Sequence, residues 1–215
     1  ATAVVLGLAA AGLAVMQSAA AGPVLLLEAG SGRVLYAEDQ DHQWYPASLT
    51  KIMTAYLTFD ALKAGRLKLD DTVTVTEKAH AQVPSKLGLP VGSEITVDLA
   101  IRALVVKSAN DVAIMLAEKI GGSEEDFVRL MNDTARRLGM TRTRFANANG
   151  LAIPGQVMTG RDLARLSRAV LHDFPDQNAV WALPEVRIGK MRLKSHNSLL
   201  RSFEGADGIK TGFIC

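Results

Sequence analysis

The pattern of apolar and polar positions predicts a β-hairpin followed by a block of helices. Two β-rich runs, 24–28 and 33–37, are joined by the turn-forming residues Ala-Gly-Ser-Gly. In the segment "YPASLTKIMTAYLTFDAL" (45–62), apolar side chains recur at i, i+3, i+4 and i+7, which predicts a helix that ends near Gly65. Further helices are expected at 97–107, 111–120 and 124–138 and after Thr159, with strands at 70–79, 187–194 and 208–214.

Two of these helix starts carry a capping signal. Ser123 precedes Asp126, and Thr159 precedes Asp162, by the three residues that allow a side chain to cap the first turn. The order of hairpin, helices and then strands predicts a mixed α/β fold of the α+β type. We expect an antiparallel sheet, in which strands from the two ends of the chain pair, packed against the helical block. The sheet is expected to be incomplete, because the last predicted strand reaches the end of the sequence.

Residues 1–21 resemble a secretory signal peptide that lacks its positively charged leader. The first 27 residues carry no charge, the apolar centre runs from Val4 to Met16, and the small residues Ser18 to Ala21 suit a cleavage site. A transmembrane anchor is the alternative, since the run is long enough to span a bilayer. Gln17 and several small residues in the second half favour the signal peptide. We therefore expect an exported protein that acts in the periplasm or at the outer face of the cytoplasmic membrane.

Composition and charge exclude several classes of function. Of the 215 residues, 48% are apolar and 21% are charged, as in an ordinary globular protein. The net charge is +2 and no basic run is present, so no binding to nucleic acid is expected. A single cysteine allows no internal disulfide. The histidines, His42, His80, His172 and His196, lack the spacing of a metal site, so we predict neither a metal nor another cofactor.

Lys51 is an unusual residue for a buried helix face, because apolar residues flank it at positions 49, 52 and 53. On a helix, positions i and i+3 lie about 5–6 Å apart, so the Lys51 amine can reach the Ser48 hydroxyl. Burial disfavours an ammonium group and lowers its pKa, and a nearby cation acts in the same direction. A neutral lysine can then take the proton of the serine and make it a nucleophile. The alternative is a lysine whose amine reaches solvent from a buried stem.

Two further motifs carry candidate binding groups. Ser108-Ala109-Asn110 falls at the break between two predicted helices, where a hydroxyl and an amide can face a cleft. The alternative for this motif is a helix N-cap. Lys210-Thr211-Gly212, on the last predicted strand, offers a charge and a hydroxyl to a carboxylate, beside a glycine that lets a substrate backbone approach. The alternative here is an edge strand protected by a lysine.

Together, Ser48-Leu49-Thr50-Lys51, Ser108-Ala109-Asn110 and Lys210-Thr211-Gly212 resemble the S-x-x-K, S-x-N and K-T-G motifs of penicillin-binding proteins and serine β-lactamases. The phrases "YPASLTKIMTAYL", "SANDVAIMLAE", "ANANGL" and "DGIKTGF" resemble the D-alanyl-D-alanine carboxypeptidases, which are low-molecular-mass penicillin-binding proteins of the S11 peptidase type. The similarity implies that 22–215 is a truncated catalytic domain with a β-lactamase/transpeptidase-like fold. Members usually continue with further strands, and many end in a membrane anchor. Peripheral membrane association through such a C-terminal segment is therefore an expectation.

The resemblance implies a role for each motif residue. Ser48 attacks the carbonyl between the last two D-alanines of a peptidoglycan pentapeptide, and Lys51 is the base for this acylation. Ser108 helps to pass a proton to the departing D-alanine, and Asn110 holds the backbone amide of the substrate. Water then hydrolyses the acyl-enzyme, whereas penicillins acylate Ser48 in the same way and leave slowly.

The K-T-G motif is implied to bind the substrate strand. Lys210, Thr211 and Gly212 bind the terminal carboxylate and line that strand. The backbone N–H groups of Ser48 and Phe213 form the oxyanion hole.

Other activities with the same motifs are alternatives. A class A β-lactamase needs a glutamate for deacylation, and the sequence has no glutamate between Glu125 and Glu185. Efficient hydrolysis of penicillin is therefore not expected. A D,D-endopeptidase that cuts cross-links would use the same machinery. A non-catalytic module that binds peptidoglycan or senses penicillin is the third alternative, although the complete set of motifs disfavours it.

Overall fold

A block of α-helices forms the centre of the molecule, and short antiparallel strand pairs lie around it. The structure is a computed structural model that describes residues 22–213; the predicted signal peptide lies outside them. The helices within that range are α1 (Thr50–Lys63), α2 (Glu77–His80), α3 (Val97–Val106), α4 (Asn110–Gly121), α5 (Glu124–Arg137), α6 (Gly160–Asp173) and α7 (Leu199–Ser202). The strands are β1 (Val24–Leu27), β2 (Val34–Glu38), β3 (Gln43–Trp44), β4 (Thr72–Thr74), β5 (Glu94–Thr96), β6 (Met158–Thr159), β7 (Glu185–Ile188) and β8 (Met191–Lys194).

Helix α1 is buried on nearly all sides rather than on one face. Helices α3, α4, α5 and α6 all pack against it, so even polar residues in its first turns, such as Lys51, Thr54 and Thr58, are enclosed. Thr54 donates a hydrogen bond to the carbonyl of Ala148 at 2.6 Å, and Thr58 donates to the carbonyl of Thr54 at 2.8 Å. A polar group at this depth stabilises the fold only when such a partner satisfies it. An amine in the buried part of this helix, such as that of Lys51, is therefore removed from bulk water.

The two predicted helix caps are confirmed. The hydroxyl of Ser123 accepts a hydrogen bond from the backbone N–H of Asp126 at 3.0 Å, so Ser123 caps the start of α5. The hydroxyl of Thr159 accepts from the N–H of Asp162 at 3.1 Å and begins α6. Both helix starts were readable from sequence because the cap is a local interaction.

Three predicted strands differ in the structure. The run 70–79 is a strand only at β4, because Thr76 caps the short helix α2 by accepting from the N–H of Ala79. The run 187–194 is a hairpin, since the chain reverses at Gly189 (φ 55°) and pairs β7 with β8. The run 208–214 is not a strand over 208–213, because no described strand pairs with it.

The mixed α/β class is confirmed, with antiparallel pairs beside a helical block, but the expected pairing of the two chain ends is wrong for the described residues. Strands β1 and β2 pair with each other, as do β7 and β8. The two hairpins lie on different helices, because β1 packs on α6 whereas β7 and β8 pack on α3. The pairing across the chain occurs instead between β3 and β6.

Candidate active site

Ser48 lies in a short 3₁₀ turn, Ala47–Leu49, directly before α1. Gly150, in the loop after α5, packs against this turn with a left-handed backbone (φ 87°). A Cβ at Gly150 would overlap the carbonyl oxygen of Ala47 and lie 3.1 Å from the backbone nitrogen of Ser48. Only glycine combines that conformation with that close approach. The position of Ser48 therefore depends on a residue from a distant loop.

The amine of Lys51 is enclosed beside Ser48. The residue is 1% exposed, so the alternative in which its amine reaches solvent is wrong. Its Nζ lies 3.2 Å from Ser48 Oγ, 2.7 Å from Asn110 Oδ1 and 2.5 Å from the carbonyl oxygen of Asn149. The structure thus brings together the first two motifs around one nitrogen atom.

Burial changes the protonation of Lys51. The pKa of Lys51 is lowered to about 7, chiefly by removal from water; the positive charge of Lys210 acts in the same direction, while the carboxylate of Asp111 opposes both effects. An ordinary lysine is fully protonated at neutral pH. A substantial fraction of Lys51 is therefore neutral near pH 7, as the sequence pattern predicted.

Ser108 and Asn110 occupy the break between α3 and α4. Ser108 has a left-handed backbone (φ 58°), which is uncommon for a residue with a side chain. The N-cap of α4 is Ala109, which forms no side-chain cap, so the N-cap alternative for this motif is wrong. Asn110 instead donates through Nδ2 to the carbonyl of Val83 at 2.9 Å, which orients Oδ1 toward Lys51. The break thus points a hydroxyl and an amide into the site.

The K-T-G segment reaches the same site from the far end of the chain. Lys210 donates from Nζ to Ser108 Oγ at 2.9 Å and to the carbonyl of Thr211 at 3.0 Å, and burial lowers the pKa of Lys210 to about 8. The edge-strand alternative is wrong, because this lysine contacts Ser108 and lies on no described strand.

A Cβ at Gly212 would lie 3.1 Å from Leu49 Cγ, so this glycine fits the turn that carries Ser48. The side chain of Phe213 is 82% exposed.

The 82–88 loop, between α2 and β5, contacts Asn110 and its neighbour Asp111. Asp111 is buried and its carboxylate accepts from the backbone N–H groups of Leu87 and Gly88, each at 2.9 Å. The N–H of Asn110 donates to the carbonyl of Ser85 at 2.7 Å. The 82–88 loop is thus fixed to the start of α4.

Sequence reasoning missed three of these groups. They are the carbonyl of Asn149, the carboxylate of Asp111 and the 82–88 loop. The phrase "ANANGL", which contains Asn149, carried a resemblance without a chemical role. A carboxylate at position 111, directly before the apolar run 112–117, was a signal in the sequence for a buried polar contact.

Among residues 22–213, no three side chains of histidine, cysteine, aspartate or glutamate lie close enough to hold a metal ion. Within the same described range, no helix has the length and apolar character required to cross a bilayer.

A Ser-Lys pair at the start of a buried helix, with a second Ser-Lys pair facing it, defines the class of penicillin-recognising proteins with an active-site serine. Within that class, the chain belongs to the D-alanyl-D-alanine carboxypeptidase family, whose model matches residues 11–214. The family resemblance carried by the three motifs is therefore confirmed.

Relatives agree in sequence and in fold. The chain is 40% identical over 187 residues to the D-alanyl-D-alanine carboxypeptidase DacC of Escherichia coli, covering 84% of this chain and 47% of the relative. It is 33% identical to penicillin-binding protein 5 from Haemophilus influenzae, with a TM-score of 0.86, covering 90% of this chain and 58% of that one. For a penicillin-binding protein from Listeria monocytogenes in a cefotaxime-bound form, the identity is 32% and the TM-score 0.80, over 90% and 79% of the two chains.

The chain spans about half the length of the curated relatives it matches. The structural similarity over that span confirms the β-lactamase/transpeptidase-like fold that the resemblance implied.

Proposed function

We propose that this protein is a serine-type D-Ala-D-Ala carboxypeptidase. It removes the terminal D-alanine from peptidoglycan pentapeptide stems through an acyl-enzyme on Ser48, and β-lactams acylate the same serine. The observation that carries this proposal is the set of three partners around the buried Lys51 amine. Family membership supports the reaction type, and the motif geometry supports the roles of individual residues.

The hydrogen bonds of Lys51 support its role as the base. A neutral amine has two N–H donors and one lone pair, whereas an ammonium group has three donors and none. Asn110 Oδ1 and the Asn149 carbonyl only accept, so they take the two N–H donors of the neutral form. The lone pair is then left for the hydroxyl of Ser48, at 3.2 Å. Proton transfer between these atoms is within the usual reach of a general base.

The reaction then follows in two steps. Ser48 Oγ forms a bond to the carbonyl carbon of the penultimate D-alanine, and its proton moves to Lys51 Nζ. The C–N bond to the last D-alanine breaks, and the departing amine takes, by way of Ser108, the proton that Lys51 received. Water attacks the resulting ester, which releases the shortened peptide and restores Ser48. The backbone N–H groups of Ser48 and Phe213 stabilise the oxyanion in both steps.

Lys210 is assigned to the substrate carboxylate, with Thr211 and Gly212 along the bound peptide. Its Nζ lies 2.9 Å from Ser108 Oγ, so a carboxylate bound there holds the leaving D-alanine close to the proton donor. Asn110 faces the Lys51 amine and also offers its amide to the substrate backbone. These placements support a site for a short peptide that ends in a free carboxylate.

The sequence of residues 1–21 supports an exported location, where peptidoglycan and β-lactams are both accessible. We therefore place the activity of this protein, with 22–215 as its catalytic domain, on the outer side of the cytoplasmic membrane.

Acylation is expected to depend on pH with two limbs. The rate rises as the pH passes about 7, because Lys51 must lose its proton to act as a base. It falls above about 8, because Lys210 then loses the charge that binds a carboxylate. The two limbs belong to an interacting pair of lysines, so their midpoints are shared properties. The measurement is the second-order rate constant for acylation by a β-lactam from pH 5 to pH 10. A rate that stays constant between pH 5 and pH 7 contradicts the role of Lys51.

The proposal is tested by locating the covalent adduct and identifying the product. After incubation with a penicillin, peptide mass spectrometry of the purified protein should find one adduct, on Ser48. With a pentapeptide stem, the released product should be free D-alanine. Cleavage of a cross-linked dimer into its two stems should be much slower. An adduct on another residue, or no D-alanine from the pentapeptide by a protein that penicillin does label, overturns the proposal.

A further inference from the structure

The carbonyl of Asn149 holds the catalytic amine, yet it belongs to a loop without regular secondary structure. The Lys51 amine donates to that carbonyl at 2.5 Å. One residue earlier, the carbonyl of Ala148 accepts from Thr54 on α1, at 2.6 Å. A loop carbonyl holds its position only as firmly as its own peptide is anchored. The partner of the Ala148 N–H is therefore important.

That partner is the carboxylate of Glu124, the first residue of α5. The N–H of Ala148 donates to Glu124 Oε1 at 3.1 Å, in a buried contact. The side chain of Glu124 is 10% exposed, and its other oxygen, Oε2, lies 2.8 Å from Lys78 Nζ. A buried carboxylate requires a paired charge of this kind. Glu125, the next residue, also binds Lys78, at 2.9 Å, but it is 70% exposed and does not bond to Ala148.

Lys78 also anchors Asn149, the residue after Ala148. Its backbone carbonyl accepts from Gln82 Nε2 at 2.9 Å, and Gln82 Oε1 accepts from Asn149 Nδ2 at 2.8 Å. The 148–149 segment is thus held through Glu124 at one residue and through Gln82 at the next. Both connections lead to α2, which is outside the three motifs.

We infer that Glu124, held by Lys78, is a positioning residue that fixes the Asn149 carbonyl and so keeps the Lys51 amine enclosed beside Ser48. This inference rests on the proposed function of Ser48 and Lys51. Without an acceptor for the Ala148 N–H, the loop moves and water reaches the amine. The charged groups near that amine, Lys210 and Asp111, stay in place, so the change acts through solvation alone.

An isosteric pair of substitutions tests the inference. Glu124→Gln keeps an oxygen that can accept from Ala148, whereas Glu124→Met has about the same length but offers only a weakly accepting sulfur. The second-order rate constant for acylation by a fluorescent penicillin is measured at a series of pH values. It is expressed per reactive site, counted from the final amount of bound label, so that misfolded protein does not contribute. We expect Glu124→Met to be slower by about tenfold at pH 7. We also expect the rising limb of its rate–pH profile to move to a higher pH by about one unit.

Two further variants make the test specific. The acylation rate of Glu124→Gln should stay within about threefold of that of the parent, with an unshifted rising limb. The first further variant, Glu125→Gln, should match the parent in both respects. Lys78→Met changes a partly exposed side chain and should give a smaller shift in the same direction as Glu124→Met.

The outcomes separate the two proposals. If the parent protein is not acylated on Ser48, the proposed function itself fails. If the parent is acylated, but neither Glu124→Met nor Lys78→Met moves the limb, the inference about Glu124 alone is overturned. Equal effects of the Gln and Met substitutions also overturn it, because the hydrogen bond to Ala148 would then not be the cause.

Discussion

Lys51→Arg lowers the rate of acylation by a β-lactam by about a thousandfold at pH 7.5, the range expected when a general base is lost. The guanidinium of arginine keeps its proton at any usable pH and has no lone pair to offer Ser48. The enclosure around Lys51 Nζ is also too small for a longer, planar group, since the native residue is 1% exposed. The measurement is stopped-flow or gel-based labelling with a fluorescent penicillin.

Lys63→Arg is the matched control for this substitution. Lys63 lies on the same helix, but it is exposed and donates to the carbonyl of Asp173. Its replacement should leave the rate unchanged. A circular dichroism melt checks that Lys51→Arg is folded, and Lys51→Met, which is smaller and uncharged, should be equally slow. A folded Lys51→Arg protein that keeps a tenth of the parent rate would remove Lys51 from the role of base.

Gly150→Ala is expected to have the second-largest effect. The new Cβ overlaps the carbonyl of Ala47 and forces a left-handed backbone on a residue with a side chain. Conformation and overpacking together should lower the free energy of unfolding by about 2–5 kcal/mol. Because Ser48 N lies 3.1 Å from that Cβ, the turn must shift, and acylation should slow by about a hundredfold. Denaturant titration and the rate per reactive site measure the two effects separately.

Gly155→Ala separates the overlap from the backbone strain. Gly155 has nearly the same conformation (φ 83°), but its Cβ would meet only Arg144, at an ordinary 3.5 Å. This variant should lose about 1–2 kcal/mol and keep its acylation rate. If the two variants acylate equally fast, the Gly150 contact does not set the position of Ser48.

Local signals explain what the sequence predicted well. The i, i+3 spacing of Ser48 and Lys51 and the capping threonine and serine each depend on residues within one helical turn. Burial of Lys51 was also predictable, because its neighbours in sequence are apolar. Interactions within a turn need no knowledge of the rest of the chain.

The missing parts all depend on residues that are distant in sequence. The Asn149 acceptor is a backbone carbonyl. Every residue has one, so the amino-acid sequence does not indicate which carbonyl accepts from Lys51. The strand expected at 208–214 had the right composition, but a strand exists only where a partner supplies hydrogen bonds. The end-to-end pairing failed for the same reason, since nothing in the β1–β2 sequence specifies which helix its hairpin will cover.

The contact between Lys210 and Ser108 joins positions that are 102 residues apart. Closing so long a segment is a slow, entropically opposed event. During synthesis the nucleophile leaves the ribosome early, but its electrostatic environment is assembled only after the last motif has been translated and has docked. On the proposed function, reactivity toward penicillin requires completed tertiary assembly, and a pulse of labelled antibiotic would time that event during chain maturation.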